Sequence, residues 1–347
     1  MVKDLEPYIE IKHIEPLSIQ GRIRHPINEN IVFIKKYFNN LGFQPFFEKV
    51  DNVITPHIIS LTVLNNTQIK RRTSPIVLNI VLFIATIFTT LFVGALNRGG
   101  NPFAKFSDIV LGIPFSFSLM LILSGHELGH YFVSRHFQVK TSLPYFLPIP
   151  HPLIGTMGAF IRVESILPNR KALIRIGLSG PVIGFLLAIP ITIIGITLSK
   201  IIPTDNFVGL KIGSSLLFNF LTYLIHPKIP SGYDLVLHPM AFAGWLGFLV
   251  TALNLLPVGQ LDGGHIAYAV FGKYRKYITL LILVGIAILG LFWPGWFFWI
   301  LIIVLFGLKH PKAQDEISNI TKTDRIYAVF ALLIFILTFI PIPFPMR

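Results

Sequence analysis

From about residue 75 onward the chain is a succession of apolar runs, each separated from the next by a short polar or Pro/Gly-rich stretch. Runs of a length suited to crossing a bilayer fall at about 76–97, 108–133, 173–199, 237–257, 277–293, 294–309 and 325–343. Trp293-Pro294-Gly295-Trp296 reads as a tight hairpin at a membrane interface, where Trp is favoured; one long span over 277–309 is the alternative there. The first 69 residues differ. Ile31, Ile34, Tyr37, Phe38 and Leu41 recur at helical spacing, with Asn28 or Asn30 as the candidate cap. Residues 45–50 read as extended, meet a turn at Asp51-Asn52, and lead into the Ile-, Val- and Thr-rich stretch 53–64. The pattern predicts an α-helical polytopic membrane protein of about seven transmembrane helices, preceded by a small α+β soluble domain. The expected division is 1–69 for the cytosolic domain and 70–347 for the membrane domain, with its core at about 75–310 and an extra C-terminal span at about 325–343.

Composition supports the bilayer. Of 347 residues, 53% are hydrophobic and 13% charged, against about 25% charged in a soluble domain. Half the usual solvated surface is missing, and lipid is what replaces it. The net charge of +13 sits in short basic runs such as Lys70-Arg71-Arg72 beside apolar segments. No long basic patch with interleaved aromatics exists, so nucleic acid is not an expected partner. Lys and Arg collect in cytoplasmic loops. With the N-terminus in the cytosol, sixteen fall on inner flanks and six on outer ones. The start, Met1-Val-Lys-Asp-Leu-Glu-Pro, has neither the pattern of a signal peptide nor that of a transit peptide. The expected location is therefore a multi-pass protein of a prokaryotic cell membrane, N-terminus cytosolic. The chain has no cysteine, so a bound metal must be held by His, Asp or Glu.

The second run contains Ser124-Gly125-His126-Glu127-Leu128-Gly129-His130. In a helix, positions i and i+4 share a face, so His126 and His130 can clamp one metal. Glu127 lies beside that face, where it can act as a general base toward water. Three ionisable groups inside an apolar span are costly and imply a function; the alternative is a chance match, with the groups bonded to backbone or to one another. A catalytic zinc site takes three protein ligands. Asp262, in Asn254-Leu-Leu-Pro257-Val-Gly-Gln-Leu-Asp262-Gly263-Gly264-His265, is the candidate third. Pro257 and the glycines break the fourth span, and such backbone is tolerated at membrane depth only in protein or beside a cavity. Capping the next helix is the competing role for Asp262.

The pairing of HELGH with NLLPVGQLDGG resembles the site-2 protease family of intramembrane zinc metalloproteases. The stretch from His238-Pro239 through Ala243-Gly-Trp245-Leu-Gly247 into Asn254-Leu-Leu-Pro257 is similar to its EGY-like branch. The resemblance covers roughly residues 75–310. It implies a Zn²⁺ held by His126, His130 and Asp262, with Glu127 as general base and acid. It also implies Asn254 near the scissile peptide, although an interhelical hydrogen bond would explain that residue equally well. The implied partners are the lipid bilayer and a transmembrane protein substrate, cut in or near its membrane segment as in regulated intramembrane proteolysis.

Between spans two and three, Pro144 to His151 and then Gly155 to Val163 have extended character. The resemblance implies a membrane-associated β segment that offers its edge to substrate, since adding a strand exposes amides that a helix hides. Gly177-Leu-Ser-Gly180-Pro181-Val-Ile-Gly184 opens the third span with small residues suited to close helix contact. Many family members carry Asn where Gly184 stands, and an acidic residue is expected where Arg175 stands. His265 is a candidate partner of Asp262 or the substrate, with a hydrogen bond at the helix start as the favoured reading; His151 and His238 are candidate groups at the edge of the site, though single interfacial histidines usually need no catalytic explanation. The rival reading is a transporter or metal permease using the His/Asp cluster as an ion site. It calls for polar groups on several spans or for duplicated halves, and the sequence offers neither. A non-catalytic adaptor is expected to have lost one of the four motif residues. A di-iron oxygenase needs more His ligands.

Overall fold

The computed structural model describes residues 2–15, 18–49, 59–65, 76–149, 153–203, 209–306 and 312–345. The turn at Asp51-Asn52, the basic run at 70–72, His151 and the end of the sixth apolar run lie outside the described residues. Helix predominates, with three small sheets.

At the start, α1 (Val2–Leu5), β1 (Ile9–Glu15), β2 (Ser18–Ile23), α2 (Ile27–Asn40), β3 (Phe43–Lys49) and β4 (Ile59–Asn65) follow in order. The strands form an antiparallel sheet in the order β1-β2-β4-β3. Ile31, Ile34 and Phe38 of α2 are buried with Ile9, Ile19, Ile23, Phe47 and Leu61, as their spacing requires. Neither asparagine caps α2. Its N-cap is Pro26, and the Asn30 amide donates to the Arg24 carbonyl instead. β1 and β2, absent from the sequence pattern, pair through a register shift between Ile11 and His13 that interrupts alternation.

Edge strand β3 is covered by a strap from the far end of the chain, residues 312–320. The Phe47 amide donates to the Gln314 carbonyl (2.9 Å), and the Glu316 amide donates to Phe47 (3.2 Å). Ile317 enters the core of the sheet. On its other side the strap bonds to the helical body, with the Gln314 amide donating to Leu167 (2.8 Å) and the Tyr268 hydroxyl to Glu316. Lys312 and Glu48 pair at 2.7 Å with the lysine 60% exposed. Such a pair contributes less than about 1 kcal/mol. Burying the Phe47 and Ile317 side chains contributes about 1.5–3 kcal/mol each, more than this exposed pair, and the strap's buried Asp315 also pairs with Lys35 of α2 at 3.6 Å.

The helical body begins with α3 (Ile76–Asn97), followed by a 3-10 turn (Phe106–Gly112) running into α4 (Ile113–His136). Next come a hairpin of β5 (Tyr145–Pro148) with β6 (Thr156–Phe160), then α5 (Arg170–Thr197). Among the described residues, three helices are long and apolar enough to cross a membrane: α3, the 106–136 helix and α5. The hairpin lies on α3. The Asn79 amide donates to the Leu143 and Pro144 carbonyls, both at 3.0 Å. Gly155, at φ +76°, sits where an added Cβ would be 2.8 Å from the Thr89 carbonyl. Beyond α5, β7 (Lys200–Pro203) and β8 (Tyr233–Val236) pair around α6 (Leu216–Ile225).

The fourth apolar run divides into α7 (Pro239–Asn254) and α8 (Asp262–Phe271). Pro257 lacks an N–H to continue the helix, and Gly259 turns the chain at φ +58°. The fifth and sixth runs are two helices, α9 (Arg275–Gly290) and α10 (Gly295–Phe306). Trp296 at their junction is fully buried and donates its indole N–H to the Pro341 carbonyl (2.7 Å), so it is held by protein. α11 (Lys322–Thr338) starts with a capping box of Thr321 and Asp324. The principal core gathers Phe115, Leu119 and Leu123 of α4, Leu178, Phe185 and Ala188 of α5, and Trp245, Phe248 and Leu253 of α7.

Candidate metal centre

α4 turns its polar face inward. His126, Glu127 and His130 are 4%, 5% and 5% exposed, at the 3.6-residue spacing that puts the two imidazoles one above the other. Their Nε2 atoms are 3.2 Å apart. Asp262, the first residue of α8, brings its Oδ2 to 3.2 Å from each. The break after α7 makes this possible, because α8 can then restart with its first side chain aimed at α4. No side chain caps α8, so Asp262 is turned to the histidines rather than to its own helix.

The donor set fits a zinc ion. Zn–N and Zn–O bonds of about 2.0–2.1 Å at tetrahedral angles separate ligand atoms by about 3.3 Å, and all three separations here are 3.2 Å. The His130 Nδ1–H donates to the Ile176 carbonyl at 2.7 Å. In the neutral ring that bond leaves Nε2 without a proton, and its lone pair then faces His126 Nε2 and the carboxylate. A carbonyl on the far nitrogen is the usual means of orienting a ligating imidazole. Three acceptors converging in a buried pocket call for a cation. His126, His130 and Asp262 are the one such group of three among the described residues.

α5 makes room for this. A Cβ at Gly180 would lie 2.1 Å from His130 Nε2, and one at Gly184 would lie 3.1 Å from His126 Nδ1. The glycine that stands where many family members carry asparagine therefore lets α5 approach His126. Pro181 has no N–H for the Gly177 carbonyl, in the turn where Ile176 receives His130. Asn254, the last residue of α7, donates Nδ2 to His126 Nε2 at 3.2 Å. This bond is an interhelical one, from α7 to α4, and it brings Asn254 into the cluster. The Ile161 amide, just past β6, faces the Glu127 carboxylate, which sets the end of the hairpin beside that residue.

The other candidates lie elsewhere or act differently. His238 caps α7 through Nδ1 (3.4 Å to the Met240 amide). His265 lies on α8 against Gly177 of α5. Arg175 pairs with Asp324 of α11, Nε to Oδ1 at 3.0 Å. The Ile176 carbonyl and Gly180 were missed as members of the centre. A backbone acceptor has no sequence signature, but the Gly-x-x-Gly-Pro run did mark a close approach.

A family model described as Peptidase family M50 matches residues 114–292. The chain is 30% identical over 244 residues to "Probable zinc metalloprotease EGY2, chloroplastic" of Arabidopsis thaliana, covering 67% of this chain and 42% of that protein. It is 30% identical over 275 residues to the protein of the same name from Oryza sativa subsp. indica (76% and 49%). It is 28% identical over 296 residues to "Probable zinc metalloprotease EGY1, chloroplastic" of Oryza sativa subsp. japonica (77% and 50%). The chain thus spans about half the length of these curated relatives. No solved structure matches it.

Proposed function

The chain belongs to peptidase family M50, the site-2 protease family, and from that premise we propose that it is an intramembrane zinc metalloprotease that hydrolyses a peptide bond in or near a transmembrane segment of another membrane protein. The observation that carries this reading is the convergence of His126 Nε2, His130 Nε2 and Asp262 Oδ2 at 3.2 Å from one another beside Glu127. These three are assigned as the ligands, Glu127 as general base and acid, and Asn254 as a polar partner of the substrate. Zinc, when bound, supplies Lewis acidity that lowers the pKa of water and polarises a carbonyl.

The chain's own groups do the rest. The Glu127 carboxylate takes the proton of the attacking water and delivers it to the departing amine nitrogen as the C–N bond breaks and the new C–O bond forms. Asn254 Nδ2–H, bonded to His126 here, is assigned to the scissile carbonyl oxygen of a bound substrate. His130 and Asp262 hold the centre rigid through the Ile176 carbonyl and the start of α8. The outer edge of the β5–β6 hairpin is assigned to the unwound substrate segment, whose amides it would pair.

The chain is read as crossing the bilayer seven times, at α3, the 106–136 helix, α5, α7 with α8, α9, α10 and α11. Residues 1–69 form a small cytosolic domain in this reading. Support comes from which loops meet. Leu167, Tyr268, Ala269, the strap and the N-terminal sheet bond to one another at one end of the body. Gly213, Trp245, Trp296, Pro341 and Pro343 do so elsewhere. That grouping is what alternating helix directions produce. The basic flanks put the first set in the cytosol.

The test is Glu127→Gln in the full chain. It is expected to keep stoichiometric zinc and to lose cleavage of a transmembrane peptide by about 10²–10⁴-fold. Cleavage at the unmodified rate would overturn the assignment.

A further inference from the structure

α11 lies outside the matched residues 114–292, yet its first turn is tied to the turn of α5 that holds the His130 imidazole. Asp324 is fully buried, and its carboxylate is divided between two tasks. Oδ2 accepts from the Thr321 amide (3.1 Å) and hydroxyl (2.6 Å), completing the cap of α11. Oδ1 accepts from Arg175 Nε at 3.0 Å. The Arg175 guanidinium also lies over the ring of Tyr327, 5.4 Å from its centroid, one turn along α11 from Asp324. Arg175 thus meets α11 at two points. The next residue, Ile176, receives the His130 Nδ1–H at 2.7 Å and the Ser179 hydroxyl at 2.7 Å.

We propose that Arg175 and Asp324 are positioning residues: their ion pair fastens α11 to the turn of α5 whose Ile176 carbonyl orients the His130 imidazole. The inference rests on the zinc-centre reading above and extends it to a helix and a charge that reading does not use. Its physical basis is the proline at 181. The Gly177 carbonyl lacks the helical donor that Pro181 would have supplied, so this turn of α5 is held by fewer backbone bonds than its neighbours. A half-buried arginine bonded to a fully buried carboxylate restrains the turn from outside at residue 175. Groups that orient a ligating imidazole change metal affinity by about 10–100-fold when lost.

The test compares Asp324→Asn, Arg175→Met, the double variant and Arg175→Lys in the full chain. Zinc affinity is read by chelator competition and thermal unfolding is followed in parallel. Asparagine keeps an oxygen for the cap of α11 and removes the charge. Each single neutral variant is expected to bind zinc about 10–100-fold more weakly. The double variant leaves no unpaired buried charge, so it should recover thermal stability while its zinc affinity stays low. Arg175→Lys should restore part of the affinity. Thr338→Val, which removes a hydroxyl bond to Ile334 at the other end of α11, should lower stability without changing affinity. Unmodified zinc affinity in the double variant would overturn the proposal. So would affinity that follows thermal stability across the whole set, Thr338→Val included. Absence of zinc from the unmodified chain would overturn the underlying zinc reading instead.

Discussion

Gly180→Ala is the smallest change that attacks the proposed zinc centre without replacing one of its proposed ligands. The added methyl carbon would lie 2.1 Å from His130 Nε2, 2.4 Å from Cδ2 and 2.6 Å from Cε1. Ordinary contact begins near 3.4 Å, so the ring or the helix must yield by about 1.3 Å (3.4 − 2.1). Ligand distances in metal sites hold within about 0.2 Å, so a shift of that size removes His130 from coordination. The ring also cannot swing away freely, because Nδ1 is bonded to Ile176 of the same helix. Loss of one of three ligands is expected to weaken zinc binding by at least about 100-fold, or roughly 2.7 kcal/mol. Metal analysis after purification, with chelator competition, measures this directly. Gly184→Ala is the internal control. Its methyl would meet His126 Nδ1 at 3.1 Å, a contact a few tenths of an ångström of adjustment relieves. Zinc bound by Gly180→Ala as tightly as by the unmodified chain would refute the close approach of α5 to His130.

Asp262→Ala is expected to lower zinc stoichiometry while leaving the protein folded, since Asp262 has no capping role in α8; unchanged stoichiometry would remove it from the ligand set. Outside the spans, Glu316 carries a pH dependence. Burial raises its pKa above the usual glutamate value, and Glu48 adds to the shift while Arg170 opposes it. The folded chain therefore holds this proton more tightly than the unfolded one, and stability falls as pH rises from about 4.5 through the folded pKa. Glu316→Gln, which can still accept from Tyr268, should abolish that decline and stabilise the chain at neutral pH. Thermal unfolding from pH 4 to 8 would show it, and parallel curves for the two proteins would contradict it.

The sequence made the centre legible because local periodicity encodes it. His126 and His130 need only a helix to converge, and the apolar run guaranteed one. Asp262 was legible for a different reason, since a carboxylate beside Pro257 and paired glycines in a membrane-length run has few inexpensive places to go. What escaped were pairings across long stretches of chain. Arg175 looked anomalous because its partner lies 149 positions away, and no periodicity links the two. The strap on β3 escaped because its residues are neither apolar nor regular. Their role comes from two backbone bonds and one buried isoleucine. The β7–β8 pair escaped because four-residue strands are too short to set up an alternation, and α6 because ten residues fall short of a membrane-length run. The break of the fourth run at Pro257 and the helix that restarts after it were both legible, because a proline and paired glycines interrupt the apolar run just before α8 begins at Asp262.

The strap also sets an order of events. Lys312 and Glu48, at one end of the contact, are 264 positions apart. At synthesis rates of about 5–20 residues per second, the edge of β3 waits roughly 13–53 s for the segment that covers it. In that interval the sheet presents an open strand, the kind of surface that pairs with other chains. The strap follows α10 in the chain, so it reaches the sheet only after α3 to α10 have been made. The sheet leaves the ribosome before these helices and is finished only after them. A completed N-terminal sheet is thereby a record that the helices between have already been synthesised.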